Sequence, residues 1–309
     1  MSIESTGGSV LRIAALAGVA AAAVALLWLA LVAPRVPGAN RTWTPEHRRL
    51  ARAEFHGGSL VTIHDLRDFA YTSANDFAER YLERTYDLGE IESAWFVLTP
   101  FFSAWRGPAH AFVSFGFSDG EYVAISVEAR REVGETYGFV AGALRRFELA
   151  YIVGTEHDLI GRRALYDGDD VLLYPIGAPR ERVRQMFVEM LQRANALQEH
   201  PEFYHTLTSN CTSNLVDHVN RMIPGRIPSS LKTILPGYTD EIAHSLGLID
   251  ARGSLDELRA RFRINDRARA ARPGDDFSAA IRAGAARPAR RADKPSEATV
   301  PPPQQDRTP

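Results

Sequence analysis

From Ile13 to Ala33 the chain runs for 21 residues without a charged side chain, closing on Leu26-Leu27-Trp28-Leu29-Ala30-Leu31-Val32. At a rise of about 1.5 Å per residue, a helix of that length reaches across a hydrocarbon layer about 30 Å thick. The run therefore predicts a transmembrane helix over residues 13–33, with residues 1–12 as a cytoplasmic N-terminus. A cleaved signal peptide competes with this reading. It is disfavoured by the length of the run and by the edge Val32-Ala33-Pro34-Arg35, a poor small-x-small cleavage site. Arg12 precedes the run, whereas Arg35, Arg41, Arg48, Arg49 and Arg52 follow it. Charge counting alone would thus leave the C-terminal side in the cytoplasm.

Residues 34–58 are rich in Pro, Gly and Arg and read as a juxtamembrane linker with one short helix. Beyond them, residues 59–282 alternate strand-like and helix-like pieces, which predicts one α+β domain. With 45% hydrophobic and 24% charged residues, the chain has the means to build a core. From Ala283 onward Ala, Arg and Pro dominate, ending in Pro301-Pro302-Pro303-Gln304-Gln305, and residues 283–309 read as a disordered tail. A net charge of −2 offers no electrostatic case for nucleic acid as a partner.

Within the domain, Leu60-Val61-Thr62-Ile63, Ile91 to Leu98, His110 to Phe117 and Tyr122 to Val127 are expected strands in an antiparallel sheet. Asp76 to Tyr86 is an expected helix with Phe77, Tyr81 and Leu82 on one side. Arg180 to Leu197 is the clearest helix, with Val183, Met186, Phe187, Met190, Leu191, Ala194 and Leu197 at three- and four-residue spacing. That stripe reads as core.

There is one cysteine, Cys211, so an intramolecular disulfide and a Cys-rich zinc module are both excluded. It follows Thr208-Ser209-Asn210 and precedes an apolar stripe of Leu215, Val216, Val219 and Met222. Ser209 or Asn210 is a fitting N-cap, which places Cys211 in the first turn of a helix. There the unpaired amides and the positive dipole end favour a thiolate. The same region, with Ser209, Asn210 and Thr212, is the candidate oxyanion support. The competing reading is a packed thiol in a core helix, and both stand at this point.

A cysteine nucleophile needs a base, and of nine histidines His110 is the one on a strand that shares a face with Phe112 and Ser114. The strand leads into Ser118-Asp119-Gly120, a hairpin signal, and then into Tyr122-Val123-Ala124-Ile125-Ser126-Val127-Glu128. A three-residue loop pairs Phe117 with Glu121, so paired numbers sum to 238 and His110 lies opposite Glu128. Directly opposed residues have Cβ atoms about 4.5–5.5 Å apart, close enough for Glu128 to orient the imidazole. A two-residue loop would put the two side chains on opposite faces. A His–Glu pair that merely decorates the hairpin is the bland alternative.

A metal centre from His205, Cys211 and His218 is disfavoured, because His218 lies about two helical turns from Cys211. Neither metal nor organic cofactor is expected, since phosphate-binding glycine loops are missing. Glu156-His157-Asp158 could line a site, and Arg130, Arg131 and Arg162 could meet an anion, although exposed charge explains them as well.

Several ordered segments resemble a known family: Asp65-Leu66-Arg67-Asp68-Phe69-Ala70-Tyr71, Ala109-His110-Ala111-Phe112-Val113-Ser114-Phe115 and Ile125-Ser126-Val127-Glu128-Ala129-Arg130. Phe147-Glu148-Leu149-Ala150-Tyr151 follows, as does the specific block His200-Pro201-Glu202-Phe203-Tyr204-His205-Thr206-Leu207-Thr208-Ser209-Asn210-Cys211-Thr212. Leu235-Pro236-Gly237-Tyr238 and Gly247-Leu248-Ile249-Asp250 complete the likeness. The family is that of the N-terminal periplasmic domain of the lipoprotein N-acylation transferase Lnb. It looks like a circularly permuted branch of the NlpC-like, papain-related thiol enzymes.

The resemblance implies Cys211 as nucleophile, His110 as base, and a periplasmic domain behind an inner-membrane anchor. It also implies acyl transfer through a Cys thioester, with a phospholipid as acyl donor, a lipoprotein amine as acceptor and the bilayer as a partner. Two alternatives stay open: a thiol peptidase or amidase acting on cell-wall peptides, and a non-catalytic binding module of the same fold. The single membrane segment is a departure that leaves transfer and hydrolysis both in play.

Overall fold

The computed structural model describes residues 4–38, 41–101, 107–228, 236–272 and 274–284. Nearly all of the expected tail, residues 285–309, lies outside them, as does Leu235.

The apolar run forms α1 (Glu4–Leu31), which starts earlier than the expected boundary and stops two residues sooner. Among the described residues it is the one helix long and apolar enough to cross a membrane, over Arg12–Ala30, and none of that window is buried by the rest of the chain.

The remainder is α+β. An eight-stranded sheet has the order β1-β2-β9-β8-β7-β6-β10, with β5 also paired to β2. These strands are β1 (Arg52–Phe55), β2 (Leu60–Arg67), β5 (Tyr81–Asp87), β6 (Ile91–Pro100), β7 (Ala109–Phe117), β8 (Tyr122–Arg130), β9 (Glu148–Thr155) and β10 (Leu172–Pro175). A separate small hairpin joins β3 (Ala70–Ser73) and β4 (Asp76–Ala78).

All nine residues of β7 are buried, which requires cover on both faces of the sheet. On one face Val113 and Phe115 pack against the apolar stripe of α5 (Arg180–Glu199) and against Leu215 of α6 (Cys211–Met222). On the other, Phe112 joins Trp95, Val97 and Ile152 beneath α4 (Glu156–Arg162) and the C-terminal Ile264, Ala268 and Ile281.

Three expectations need correction. The sheet is mixed rather than antiparallel, because Arg67 of β2 pairs in parallel with Gly154 of β9. β2 takes its direction from its antiparallel partners β1 and β5, bends at a register shift after Ile63, and meets β9 only at its end. Asp65 carries that bend with φ 54°. The approach is close: a Cβ on Gly154 would lie 2.8 Å from the Arg67 carbonyl oxygen, so a side chain there would push the strands apart.

Asp76 to Tyr86 is strand, not helix. Phe77 stacks on Phe69 at 5.1 Å and Tyr81 meets the same ring edge-on at 5.3 Å. Over so short a stretch the helical and strand periods are hard to separate, and the aromatic cluster with the β2 ladder decides between them.

Residues 34–58 do more than link. They contribute α2 (Pro45–Arg48) and edge strand β1, and Trp43 forms a bridge to Glu132.

Candidate active site

The β7–β8 hairpin has the register that its three-residue loop demands. Phe117 and Glu121 are hydrogen-bonded across the loop, and Phe112↔Ser126 through Gly116↔Tyr122 all sum to 238. Just beyond these pairs, His110 Nε2 lies 3.2 Å from Glu128 Oε1. It also lies 2.6 Å from Ser126 Oγ, and that hydroxyl donates to Glu128 Oε1 at 2.7 Å. A second cation, Arg163, donates to the same carboxylate oxygen at 2.9 Å. It starts a π-helical turn (Arg163–Asp167) that Gly168 closes with φ 77°.

Cys211 is the first residue of α6. The Asn210 side chain accepts from the Ser213 amide at 2.9 Å, and the Ser213 hydroxyl accepts from the Asn210 amide at 2.9 Å, a reciprocal cap. This fixes the start of α6 against the start of β7, where the sulfur interacts with His110 and with the backbone N–H of Ala111. Nε2 of His110 is committed to Ser126 and Glu128, which leaves Nδ1 as the nitrogen for the sulfur.

The electrostatics follow from these contacts. Burial pushes the Cys211 thiol up, but the His110 contact and charge, with the Ala111 amide, bring it below the ordinary thiol range. Burial pushes His110 down, yet the Glu128 carboxylate and the Cys211 contact together outweigh it and the imidazole rises to about 9. For Glu128, burial is overcome by His110 and Arg163, which hold the carboxyl well below its usual range. Both shifts favour a thiolate–imidazolium pair propped by a carboxylate.

The dyad opens on a cleft of about 220 Å³ whose walls include Glu46, His47, Arg131, Arg163, Asp169 and Tyr204. His47 comes from α2. Burial, against the pull of Glu128, drives its pKa to about 3, and its Nδ1 accepts from the Arg131 amide at 3.1 Å. Its ring is therefore neutral with the hydrogen on Nε2. The Tyr204 hydroxyl lies 3.3 Å from that of Tyr137, and burial followed by the charge of Cys211 raises its pKa. Burial also lifts the Asp169 carboxyl to about 6.

The structure thus brings Cys211, His110 and Glu128 together, and it places the other candidates elsewhere. The Asn210 amide nitrogen donates to the Thr206 carbonyl at 2.6 Å, so its whole side chain is spent on the loop and cap. Thr212 lines a separate, apolar cavity of about 280 Å³, and its hydroxyl is buried without a hydrogen-bond partner among the described residues. The Ser209 amide is taken by the His205 carbonyl. None of these three side chains lines the cleft, so oxyanion support from this segment would come from backbone alone.

Glu156 and Asp158 are spent on buried pairs with Arg282 and Arg67, and His157 is exposed with its ring edge-on to Phe277. Arg131 and Arg162 line the cleft, while Arg130 lies over the Trp43 ring at 4.0 Å. His218 lies 2.8 Å from the Tyr151 hydroxyl, and His205 Nδ1 lies 3.0 Å from the Thr208 hydroxyl.

The sequence reading missed Ser126, Arg163, His47, Tyr204 and Asp169. Ser126 was within reach, because strand alternation puts it on the face of Glu128 two residues on. Tyr204 stands seven residues ahead of Cys211 in the same block, whereas His47, Arg163 and Asp169 arrive from distant segments with no local signal.

The imidazolium should be required as a proton donor, so kcat/KM is expected to fall as pH rises through about 9. Glu128→Gln removes the main influence raising His110 and is expected to move that alkaline limb to lower pH. A pH–rate profile of both proteins checks this, and an unmoved limb would remove Glu128 from its role. The same shift has a stability consequence: because the folded pKa is raised, His110 stabilises the fold fully below about 6.5 and loses this as pH passes about 9.

A family model described as the Lnb N-terminal periplasmic domain matches residues 77–237, more than half of the chain. No match was found among curated proteins or among solved structures.

Proposed function

Because the chain belongs to the family of the Lnb N-terminal periplasmic domain, we propose that it is a membrane-anchored periplasmic thiol enzyme that moves or hydrolyses an acyl group. The observation that carries this reading is the Cys211 thiol held against a carboxylate-backed His110 in one cleft, its pKa lowered despite burial. Cys211 attacks an acyl carbonyl, and a tetrahedral oxyanion forms beside the first-turn amides of α6 and the Tyr204 hydroxyl. The carbon–oxygen bond to the leaving alcohol breaks as His110 returns a proton to that oxygen, leaving a thioester on Cys211. An amine or a water then attacks the thioester, His110 takes its proton, and the thiolate is released with the new amide or acid.

A phospholipid ester as donor and a lipoprotein amine as acceptor suit a domain tethered by α1. The order of a strand histidine before a helix-start cysteine is that of a permuted NlpC-like enzyme, and the mixed sheet flanked by α5 and α6 is compatible with it. The inner membrane is the compartment this reading assigns, with α1 crossing once.

The experiment is to incubate the full chain with a phospholipid carrying a defined acyl chain, without acceptor, and to read intact mass. A mass increase of one acyl group, cleaved by hydroxylamine and lost in Cys211→Ala, is expected. An unmodified wild-type protein that nevertheless releases new amino groups from purified peptidoglycan would replace this reading with that of a cell-wall amidase.

A further inference from the structure

After β8 the chain passes through a stretch whose apolar residues face outward. Phe139 is 53% exposed and Val140 68% exposed on the short helix α3 (Phe139–Ala143), and Val133, Tyr137 and Leu144 flank them in the open. The loop ahead of α6 adds Leu207, itself exposed. It is tied to α3: the Thr206 hydroxyl donates to the Phe139 carbonyl at 2.8 Å, and a Cβ on Gly142 would lie 2.3 Å from that hydroxyl oxygen. Apolar side chains grouped in this way on a soluble surface signal something that covers them.

Their position says what. Arg145 lies over the ring of Trp28 at 5.4 Å, and Arg35 donates to the Leu144 carbonyl at 2.8 Å. Arg41 donates to the Arg146 carbonyl at 3.2 Å. The segment that carries the patch therefore packs beside the C-terminal end of α1 and the residues that follow it, where the span Arg12–Ala30 leaves the hydrocarbon. Trp28 stands in the last turn of that span, at the level where tryptophan meets lipid headgroups. Arginines beside the apolar residues suit the same layer, their stems among acyl chains and their heads among phosphates.

We propose that the surface formed by Val133, Tyr137, Phe139, Val140, Leu144 and Leu207 rests in the interfacial layer of the bilayer that α1 crosses. The domain is then held by two contacts, the helix and this patch, which fixes its orientation as well as its distance. Tyr137 and Tyr204 both line the Cys211 cleft, and the Leu207 loop runs directly into Cys211. The cleft mouth consequently lies beside lipids still embedded in the membrane. This placement does not depend on which bond the cleft breaks.

The test uses the full chain carrying Cys211→Ala, so that the one native thiol is absent, with Val140→Cys bearing a nitroxide. The protein is reconstituted in vesicles of phosphatidylethanolamine and phosphatidylglycerol. Spin relaxation is compared in molecular oxygen, which partitions into lipid, and in a water-soluble nickel chelate. Asp119→Cys, at the tip of the β7–β8 hairpin, sets the value for a site in water. The expected result is a label at position 140 relaxed several-fold more by oxygen, and several-fold less by nickel, than the label at 119. Nickel access equal to that at 119 would overturn the proposal. Protection from both reagents would overturn it too, since that pattern means a protein surface covers the patch.

Discussion

Cys211→Ala and His110→Ala are each expected to lower kcat/KM by about 10³-fold or more, and the double variant by no more than the worse single. The thiol and the imidazole act as one unit. Without His110 the buried sulfur loses the contact that brings its pKa down, and without Cys211 the imidazole has no nucleophile to serve. Two independent contributions would multiply instead. Measuring the three variants on one acyl ester decides between these outcomes, and multiplicative losses would break the dyad apart. His110→Ala leaves Glu128 with Arg163 as a partner at 2.9 Å, so the carboxylate stays compensated and the fold is expected to survive.

Asp158→Ala should act on stability, and strongly. Asp158 is fully buried and accepts from Arg67 at 2.9 and 2.8 Å and from the Phe69 amide at 2.9 Å. Removing it leaves the Arg67 guanidinium buried with the Glu46 carbonyl as its remaining hydrogen-bond partner among the described residues. An uncompensated buried charge costs about 3–5 kcal/mol. At about 2–4 °C per kcal/mol for a domain of this size, Tm is expected to fall on the order of 10 °C. Thermal unfolding followed by circular dichroism reads it, and a Tm within a degree of wild type would show the pair to be dispensable. Replacing both members by apolar residues, Arg67→Met with Asp158→Leu, is expected to recover part of the loss, because no charge is then stranded. Arg67 also lines the Cys211 cleft, so the pair that supports the β2–β9 junction shapes the site as well.

How much of this could be read in advance depends on the range over which each feature is encoded. The β7–β8 register followed from a loop of three residues, and that alone set His110 opposite Glu128. The start of α6 followed from a cap-forming Asn210 ahead of an apolar stripe, and the α5 core face from its spacing. The helical form of α1 followed from an uncharged run. Each of these is written within about twenty consecutive residues.

The strand pair at Asp76 to Tyr86 was not legible, because Phe77 and Tyr81 answer to Phe69 and to the β2 ladder rather than to their own spacing. Neither was the role of α2, whose His47 reaches the cleft only because the chain after α1 folds back on β8. Arg163 and Asp169 likewise reach the cleft from a stretch distant in sequence from both His110 and Cys211. The sequence by itself determined the membrane-length helix, the hairpin and the cysteine's place at a helix start, since hydrophobic period, turn length and capping are local physics. Only the tertiary structure decided that sulfur and imidazole share one cleft, which carboxylate and cations surround them, and which apolar face lies beside α1. Those depend on where distant segments come to rest, and chain packing, not local preference, sets that.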